Sequence, residues 1–226
     1  MSNEKKYPMT VLGKLEKERE VEELIRIKRP EIVARIKEAR ELGDLSENAE
    51  YHAAKEEQSI LEGKIATINN ILRFIEIIDE NITENEKQKL EEMIVEIEAK
   101  IATYEVEIEN ANSNNSKEEA ALTTEKLKLE KWSIEKIQEV LNTVTVVSDD
   151  AVGGIVTIGK KVVFVEVGED DEEEYTIVGS AEANPSEGKI SNDSPIAKAV
   201  MGHKVGDKVK VQTPGGEMEI EIVNVK

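Results

Sequence analysis

Two carboxylates, Asp44 and Glu47, lie three residues apart in the segment GDLSENAEY, which runs from Gly43 to Tyr51. On the first turn of a helix this spacing brings two side chains within about 5 to 6 Å of each other. Carboxylate oxygens are ligands that Mg²⁺ accepts, but two exposed carboxylates hold the ion weakly, because it keeps its water and favours sites shared with phosphates or further acids. A metal role therefore requires that the pair be half of a site.

A structural role for the same residues is also open. Gly43 suits the left-handed position after a helix, and Asp44 followed by Glu47 has the spacing of a capping box at the start of the next helix. Acids at a helix start are usually caps, so the residues alone favour capping over metal binding.

The segments on either side of this turn have helical periodicity. Apolar residues recur among charged ones at Val21, Leu24, Ile27, Ile32, Val33, Ile36 and Ala39, and again at Ala49, Ala53, Ile60, Ile65, Ile68 and Leu72. Two amphipathic helices joined by a short turn form an antiparallel hairpin. Pro30 removes a backbone donor from the first arm and predicts a kink there. Residues 1–78 are thus predicted to be a coiled-coil hairpin, suited to inserting its tip rather than to enclosing a ligand.

Residues 79–141 predict a second helical hairpin. Thr83 with Glu86 has the spacing of a capping box, Asn110 to Asn115 is a polar turn, and Ser116 with Glu119 begins another helix. The predicted core of this block is the seam between its own two helices. Because the ends of an antiparallel hairpin lie close together, such an insertion need not disrupt its host.

Residues 142–226 change to the alternation of apolar and polar residues that is typical of strands. The acidic run Glu169 to Glu174 predicts a loop, and PGGE from Pro214 predicts a hairpin turn. SPIAKAVMG predicts a short helix with Ser194 at its cap and Pro195 at its first position. An antiparallel sheet packed on one helix, together with two helical hairpins, predicts an α+β fold.

Charge and composition exclude several functions. The formal net charge is -19, of which residues 1–78 carry -2, residues 79–141 carry -9 and residues 142–226 carry -8. This charge repels phosphate, and aromatic residues make up only 3% of the chain, so independent binding of duplex DNA is not expected. The chain contains no cysteine and two histidines, which argues against a zinc site. No apolar run approaches the roughly 20 residues of a membrane span, which predicts a soluble, cytoplasmic protein.

A cluster of bases precedes the acidic turn. Arg29, Arg35, Lys37 and Arg40 lie on the predicted helix that leads to it. They could face RNA or an acidic groove, or they could form a solvated, ion-paired surface. Periodicity does not decide between the two interpretations.

The tip segment resembles the tip of the Gre family of bacterial transcript-cleavage factors, in particular its GreA-type members. YPMT from Tyr7 and KRPEIVARIKEAREL from Lys28 resemble the start and middle of the family's first long helix, and EYHAAKEEQSILEGKI from Glu50 resembles the second. GKISNDSPIAKAVMGHKVGD and QTPGGE resemble its FKBP-like C-terminal domain. Residues 79–141 have no counterpart, and Lys17 stands where relatives tend to have leucine.

The resemblance implies a transcription elongation factor that is not itself an enzyme. Such a factor binds RNA polymerase, inserts its hairpin tip into the secondary channel and stimulates the polymerase's own cleavage of backtracked RNA. Asp44 and Glu47 would then complete the polymerase site by sharing a Mg²⁺ ion close to the nascent RNA 3′ end. In that case Ser46, Asn48, Glu50 and Tyr51 could support the tip, and the bases Arg29, Arg35, Lys37 and Arg40 could contact RNA or the channel. We expect polymerase docking at Ser194, Pro195 and Ile196, because the hairpin has little apolar surface beyond its seam and these residues lie at a helix start.

Two alternatives remain open at this point. One is a Gre-like polymerase-binding protein without cleavage activity, which would act as an inhibitor, competitor or tether through its inserted hairpin. The other is a structural module in which the coiled coils drive self-association. The intact pair of Asp44 and Glu47 favours the cleavage factor over the first alternative, whereas the inserted block gives weight to both.

Overall fold

The computed structural model describes residues 6–41, 48–79, 81–147, 154–168, 171–213 and 216–226. These residues form two compact units. One unit contains Met1–Lys14, Phe74–Gln88 and Thr143–Lys226, and the other contains Leu15–Arg73 and Lys89–Asn142. Both helical hairpins therefore share one unit, whereas their chain ends belong to the other. The boundaries at residues 78 and 141, which divide the chain into three modules, stay a prediction.

The first hairpin is built from three helices. They are α1 (Val11–Glu23), α2 (Arg29–Glu41) and α3 (Ala49–Arg73), with a π-helical turn at Leu24–Lys28 between the first two. The Arg29 N–H donates to the Leu24 carbonyl five residues back. Pro30 follows at once and has no N–H to offer the preceding turn. The disruption predicted from Pro30 thus takes the form of a widened turn, a common site of helix bending.

The seam of this hairpin is apolar. Its buried members are Val21, Ile32, Leu61, Ile65 and Ile68. The predictions for Val33, Ala49, Ala53 and Ile60 were wrong, because these residues are exposed, Ile60 to 67%. Val33 and Ile60 are each next in sequence to a seam residue, and one residue along a helix turns the side chain about 100° away from the seam.

Lys17, which stands where the family tends to have leucine, is stabilised by ion pairing. Its Nζ lies 2.9 Å from the Glu20 carboxylate, whose other oxygen lies 2.8 Å from Nζ of Lys64 on α3. Leu15 supplies the buried apolar side chain of this turn instead. Burial raises the pKa of Glu20, but hydrogen bonds from the Lys64 and Lys17 ammonium groups outweigh it, and the net pKa lies below its ordinary value of 4.5.

Glu20 should therefore contribute to acid sensitivity. A carboxyl whose folded pKa is lowered stabilises the fold above its unfolded pKa, and this contribution is lost as pH falls through the folded value. We expect Glu20→Gln to lower the free energy of unfolding by about 1 kcal/mol near neutral pH and by less near about pH 3. Urea unfolding at the two pH values measures this difference. An equal loss at both values would show that packing, and not ionisation, is the contribution of Glu20.

The second hairpin consists of α4 (Glu84–Ser113) and α5 (Lys117–Thr143). The capping box at its start is confirmed, since the Thr83 N–H donates to the Glu86 carboxylate at 2.8 Å and the Glu86 N–H donates to the Thr83 hydroxyl at 3.2 Å. The predicted turn from Asn110 was too long, because α4 continues to Ser113. Asn115 takes a left-handed conformation with φ of 61°, which asparagine tolerates better than most residues.

The second hairpin packs on the first as well as on itself. Within it, Lys131 and Glu105 form a 3.2 Å ion pair across the two helices. On its other side, Glu130 of α5 lies 3.5 Å from Arg19 of α1, and the Glu130 side chain is only 10% exposed. The prediction that the core of this block lies only between its own helices was therefore wrong. A buried carboxylate requires a partner, and Arg19 on the first hairpin supplies it.

Each hairpin begins and ends with a short strand, and the two strands of each hairpin pair in parallel. Strands β1 (Tyr7–Thr10) and β2 (Ile75–Asp79) flank the first, and β3 (Asn81–Thr83) and β4 (Thr145–Val147) flank the second. Thr10 and Thr83 are the last residues of β1 and β3. The hydroxyl of each accepts a hydrogen bond from the backbone N–H of the residue three positions later. Met9 and Ile82, which precede them, are both buried. The inserted block thus repeats the β–α–α–β plan of the N-terminal module.

The C-terminal part is a five-stranded sheet covered by one short helix. Its order is β7-β6-β5-β9-β8, and all pairs are antiparallel except β6 with β7. The elements are β5 (Lys161–Glu166), β6 (Glu172–Val178), β7 (Lys189–Ser191), α6 (Pro195–Val200), β8 (Lys208–Thr213) and β9 (Gly216–Val225). Phe164, Ile177, Ala197, Ile220 and Ile222 belong to its buried core. The predicted α+β class is confirmed, with one parallel pair that alternation alone did not indicate.

The prediction that the acidic run Glu169 to Glu174 is a loop was wrong for its last three residues, and Glu169 and Asp170 lie outside the described residues. Glu172, Glu173 and Glu174 belong to β6 and pair with β5, while their side chains remain exposed. Glu174 forms an ion pair with Lys161 across the strands. Within the described ranges, no helix is long and apolar enough to cross a bilayer.

Candidate functional site

The acidic turn is framed by the end of α2 and the start of α3. Asp44, Ser46 and Glu47 lie outside the described residues, as does Gly43. The residue that joins the two helix ends is Asn48. Its Nδ2 donates to the Ala39 carbonyl at 2.8 Å, and its Oδ1 accepts from the Tyr51 N–H at 3.0 Å.

Asn48 is therefore the N-cap of α3. Its backbone carbonyl accepts the first helical bond, from the His52 N–H, while its side chain satisfies a donor of the first turn. The alternative in which Asp44 caps the next helix in a box with Glu47 does not hold for α3, because α3 begins at Ala49, five residues after Asp44. Asp44 and Glu47 are therefore not the cap of α3.

The other residues predicted to support the tip differ in exposure. Glu50 is exposed on the first turn of α3, where a negative charge interacts favourably with the helix dipole. Tyr51 is partly buried, and its ring meets that of His52 edge to face with centroids 5.7 Å apart. A support role for both remains a prediction.

Asn48 offers a test of how the turn is held. Asn48→Ala should lower the free energy of unfolding by about 0.5 to 2 kcal/mol, because it removes both the cap and the bond to Ala39. Asn48→Asp keeps the cap acceptor but loses the amide donor, so its cost should be smaller. Thermal unfolding of the two variants measures the difference. An equal cost would show that the cap does not contribute, and an unchanged stability of Asn48→Asp would show that the bond to Ala39 does not contribute.

Two of the four predicted RNA or channel contacts hold the hairpin together. Arg29 of α2 donates two hydrogen bonds to Glu62 of α3, both at 2.7 Å, and Arg35 donates to Glu57 at 2.6 Å. These pairs support the ion-paired interpretation for Arg29 and Arg35. Lys37 and Arg40 are exposed nearer the tip. Their role stays a prediction.

The predicted docking residues form the start of α6. The Ser194 hydroxyl accepts the Ala197 N–H at 3.2 Å, and Pro195 occupies the first turn, so the predicted cap is confirmed. Ile196 packs partly against the sheet core, whereas Pro195 is exposed. Of the three, Pro195 therefore offers the most surface to a partner.

Sequence reasoning missed Glu182, which fixes β1 to the loop after β6. Both the N–H and the hydroxyl of Thr10 donate to its carboxylate, at 3.0 and 2.9 Å. Gly179 lies beside this contact, and a Cβ there would approach the Pro8 carbonyl to 1.9 Å. No periodicity or spacing in the sequence indicates such a long-range polar contact.

The donor chemistry of the tip fits Mg²⁺ in part. Asp44 and Glu47 offer carboxylate oxygens, but Mg²⁺ takes about six ligands, so further ligands must come from water, phosphate or another molecule. Among the residues that the structure describes, no three acids or histidines lie close enough together to hold a metal.

The chain combines a long helical hairpin, whose connecting segment contains Asp44 and Glu47, with an α+β sheet domain. The family model "Transcription elongation factor, N-terminal" of GreA/GreB matches residues 7–77, and the model "Transcription elongation factor, GreA/GreB, C-term" matches residues 151–226. The chain belongs to the GreA/GreB family of transcription elongation factors. The two models leave the inserted hairpin unmatched.

Full-length relatives support this assignment. The chain is 40% identical over 226 residues to the transcription elongation factor GreA of Bacillus cereus strain AH187, covering 100% of both chains. It is 40% identical over 225 residues to GreA of Bacillus licheniformis, covering 100% of this chain and 99% of that one. Among solved structures, GreA factor homolog 1 of Thermus thermophilus is 19% identical, with a TM-score of 0.34 and coverage of 66% of this chain and 99% of the other.

Proposed function

We propose that this elongation factor binds RNA polymerase, inserts its hairpin tip into the secondary channel and stimulates the polymerase's cleavage of backtracked RNA. The observation that carries the proposal is the position of the α3 cap. Because Asn48 caps α3, Asp44 and Glu47 are not needed for that purpose. The experiment that tests it is RNA cleavage in a stalled, backtracked elongation complex, with and without the protein.

In this proposal the chain contributes part of an active site and the polymerase contributes the rest. Asp44 and Glu47 are the residues that would hold a Mg²⁺ ion shared with the polymerase. Such an ion supplies Lewis acidity and a template for hydrolysis of a phosphodiester. The chain's own task is to bring two carboxylates to the nascent RNA 3′ end, so it is not an enzyme by itself. Its site of action would be the bacterial cytoplasm, without independent binding to duplex DNA.

A probe of this kind has to hold its tip in place. The ion pair of Arg29 with Glu62 joins the two arms beside the seam, and that of Arg35 with Glu57 joins them closer to the tip. Asn48 joins them again at the base of the turn. Misplacement of catalytic groups by about 1 Å can cost on the order of 100-fold in rate, so these contacts support a positioning role.

Docking is proposed for the exposed start of α6. Pro195→Glu should keep α6 folded, because a negative charge is favourable in the first turn of a helix, but it should disrupt an apolar contact there. We expect at least about a 10-fold loss of affinity for RNA polymerase, which corresponds to 1.4 kcal/mol. Titration of labelled polymerase with the full-length protein measures this change.

Pro185→Glu is the matched control. Pro185 is also exposed and also begins a short helix, the 3₁₀ turn Pro185–Glu187 of the same sheet domain. It should bind polymerase like the unchanged protein. Equal affinities for all three proteins would move the docking surface away from α6.

A second candidate function is polymerase binding without cleavage, with the inserted hairpin acting as an inhibitor or tether. The observation that favours this candidate is the contact between Glu130 and Arg19, because this contact attaches the insert directly to the first arm of the N-terminal hairpin. If the insert is inhibitory, a protein from which it has been removed will stimulate cleavage more strongly than the full chain.

A further inference from the structure

Helix α4 has apolar residues on two opposite faces. One face contains Leu90 and Ile97, which are buried within the hairpin unit. The other contains Val95, Ala99, Ala102 and Val106, which are all exposed, Val95 to 66% and Val106 to 56%. Valine has a lower helix propensity than lysine or glutamate, so it gains nothing at an exposed helical position. We call the face formed by these four residues the outer seam.

The outer seam has the spacing of a coiled-coil interface. Its residues follow one another at intervals of four, three and four, which places them at successive a and d positions. The two valines lie about 16 Å apart along the helix axis. Two heptads are enough to contact one side of a short helix, although they would bind it weakly without other contacts.

Glutamates flank the outer seam on both sides. Glu91, Glu98 and Glu105 repeat every seven residues on one side, and Glu96 lies on the other. All four are exposed. Glu105 also forms the ion pair with Lys131 of α5, so the negative charge offered to a partner comes mainly from Glu91, Glu96 and Glu98. Residues beside the seam of a coiled coil determine the choice of partner, because opposite charges attract across it and like charges repel.

We propose that the outer seam binds a basic amphipathic helix of another protein, with apolar residues at its a and d positions and lysine or arginine beside them. A second copy of this chain is a poor occupant, since it would bring glutamates against glutamates. A nucleic acid or an anionic membrane surface is repelled by the net charge of -9 over residues 79–141. This inference is independent of the cleavage proposal.

The test uses the full-length protein and a labelled synthetic peptide of about three heptads, with leucine at a and d and lysine at the flanking positions. Fluorescence anisotropy should detect binding at about 50 mM NaCl, and binding should weaken at about 500 mM. The double variant Val95→Lys/Val106→Lys should bind at least about 10-fold more weakly. The variant Ala99→Leu/Ala102→Leu should bind more tightly, and a gain of affinity cannot result from misfolding.

The control must have the same change in charge. Val33→Lys/Ile60→Lys replaces two apolar residues that are 48% and 67% exposed on the first hairpin. It should bind the peptide like the unchanged protein. Absence of peptide binding at low salt, or equal weakening by both lysine pairs, would overturn the proposal. So would sedimentation showing a dimer that Val95→Lys/Val106→Lys dissociates, because the outer seam would then bind a second copy.

Discussion

Replacing Asp44 with asparagine, or Glu47 with glutamine, is expected to reduce stimulated RNA cleavage by about 100-fold or more while leaving affinity for RNA polymerase almost unchanged. Each change removes a negative charge and weakens a metal ligand at the tip, but it leaves the proposed docking surface at Pro195 intact. Cleavage rates in a backtracked complex and a parallel binding titration measure the two effects separately.

A stability measurement separates this account from capping. Because Asn48 caps α3, Asp44→Asn should change the free energy of unfolding by no more than about 0.5 kcal/mol. Glu41→Gln is the control, since Glu41 is exposed at the end of α2 and its substitution makes the same change in charge. It should retain cleavage. Full stimulation by Asp44→Asn would refute the metal role.

Removal of the inserted hairpin is expected to leave a folded protein that still stimulates cleavage but melts on the order of 10 °C lower. The polar turn of the insert has no carboxylate from Asn110 to Asn115, so it offers no ligand of the kind at Asp44 and Glu47. The loss of stability follows because α5 contacts α1 and supplies the partner of Arg19.

The structure also determines where the chain should be cut. Removing residues 79–141 would delete β3 and leave β4 without the strand with which it pairs. Residues 81–147 should be excised together and replaced by a short linker. Aggregation of that protein would show that the insert is part of the core of its host, and a gain of cleavage over the full chain would show that it is an inhibitor.

A point variant isolates the contact between the hairpins. Glu130→Gln keeps the volume of the side chain but removes its charge beside Arg19, and it should lower the melting temperature. Glu105→Gln is the control, because the pair of Glu105 with Lys131 lies within the insert and is exposed. Exposed pairs contribute about 0 to 1 kcal/mol, so its effect should be the smaller one.

The sequence predicts the long elements well and the short ones poorly. Periodicity over many residues indicates both hairpins and the strands of the sheet. The parallel pairs of β1 with β2 and of β3 with β4 are three to five residues long, too short for a period to be recognised. The repeated plan of the two hairpin modules is therefore visible only in the structure.

The cap of α3 shows a different limit. Asp44, Ser46 and Asn48 are all residue types that cap helices, so the sequence does not determine which of them starts α3. The structure selects Asn48 because its amide also reaches Ala39 on the other helix. Glu130 is similar, since a charged residue in a helical pattern is normally assigned to solvent and only its contact with Arg19 explains its burial.

The most direct test is RNA cleavage in a stalled, backtracked elongation complex with Mg²⁺ present. The full-length protein should accelerate shortening of the transcript from its 3′ end and restore elongation, and the protein with Asp44→Asn should bind the complex without doing so. A protein that binds the polymerase and leaves the transcript at its original length would contradict the proposed function.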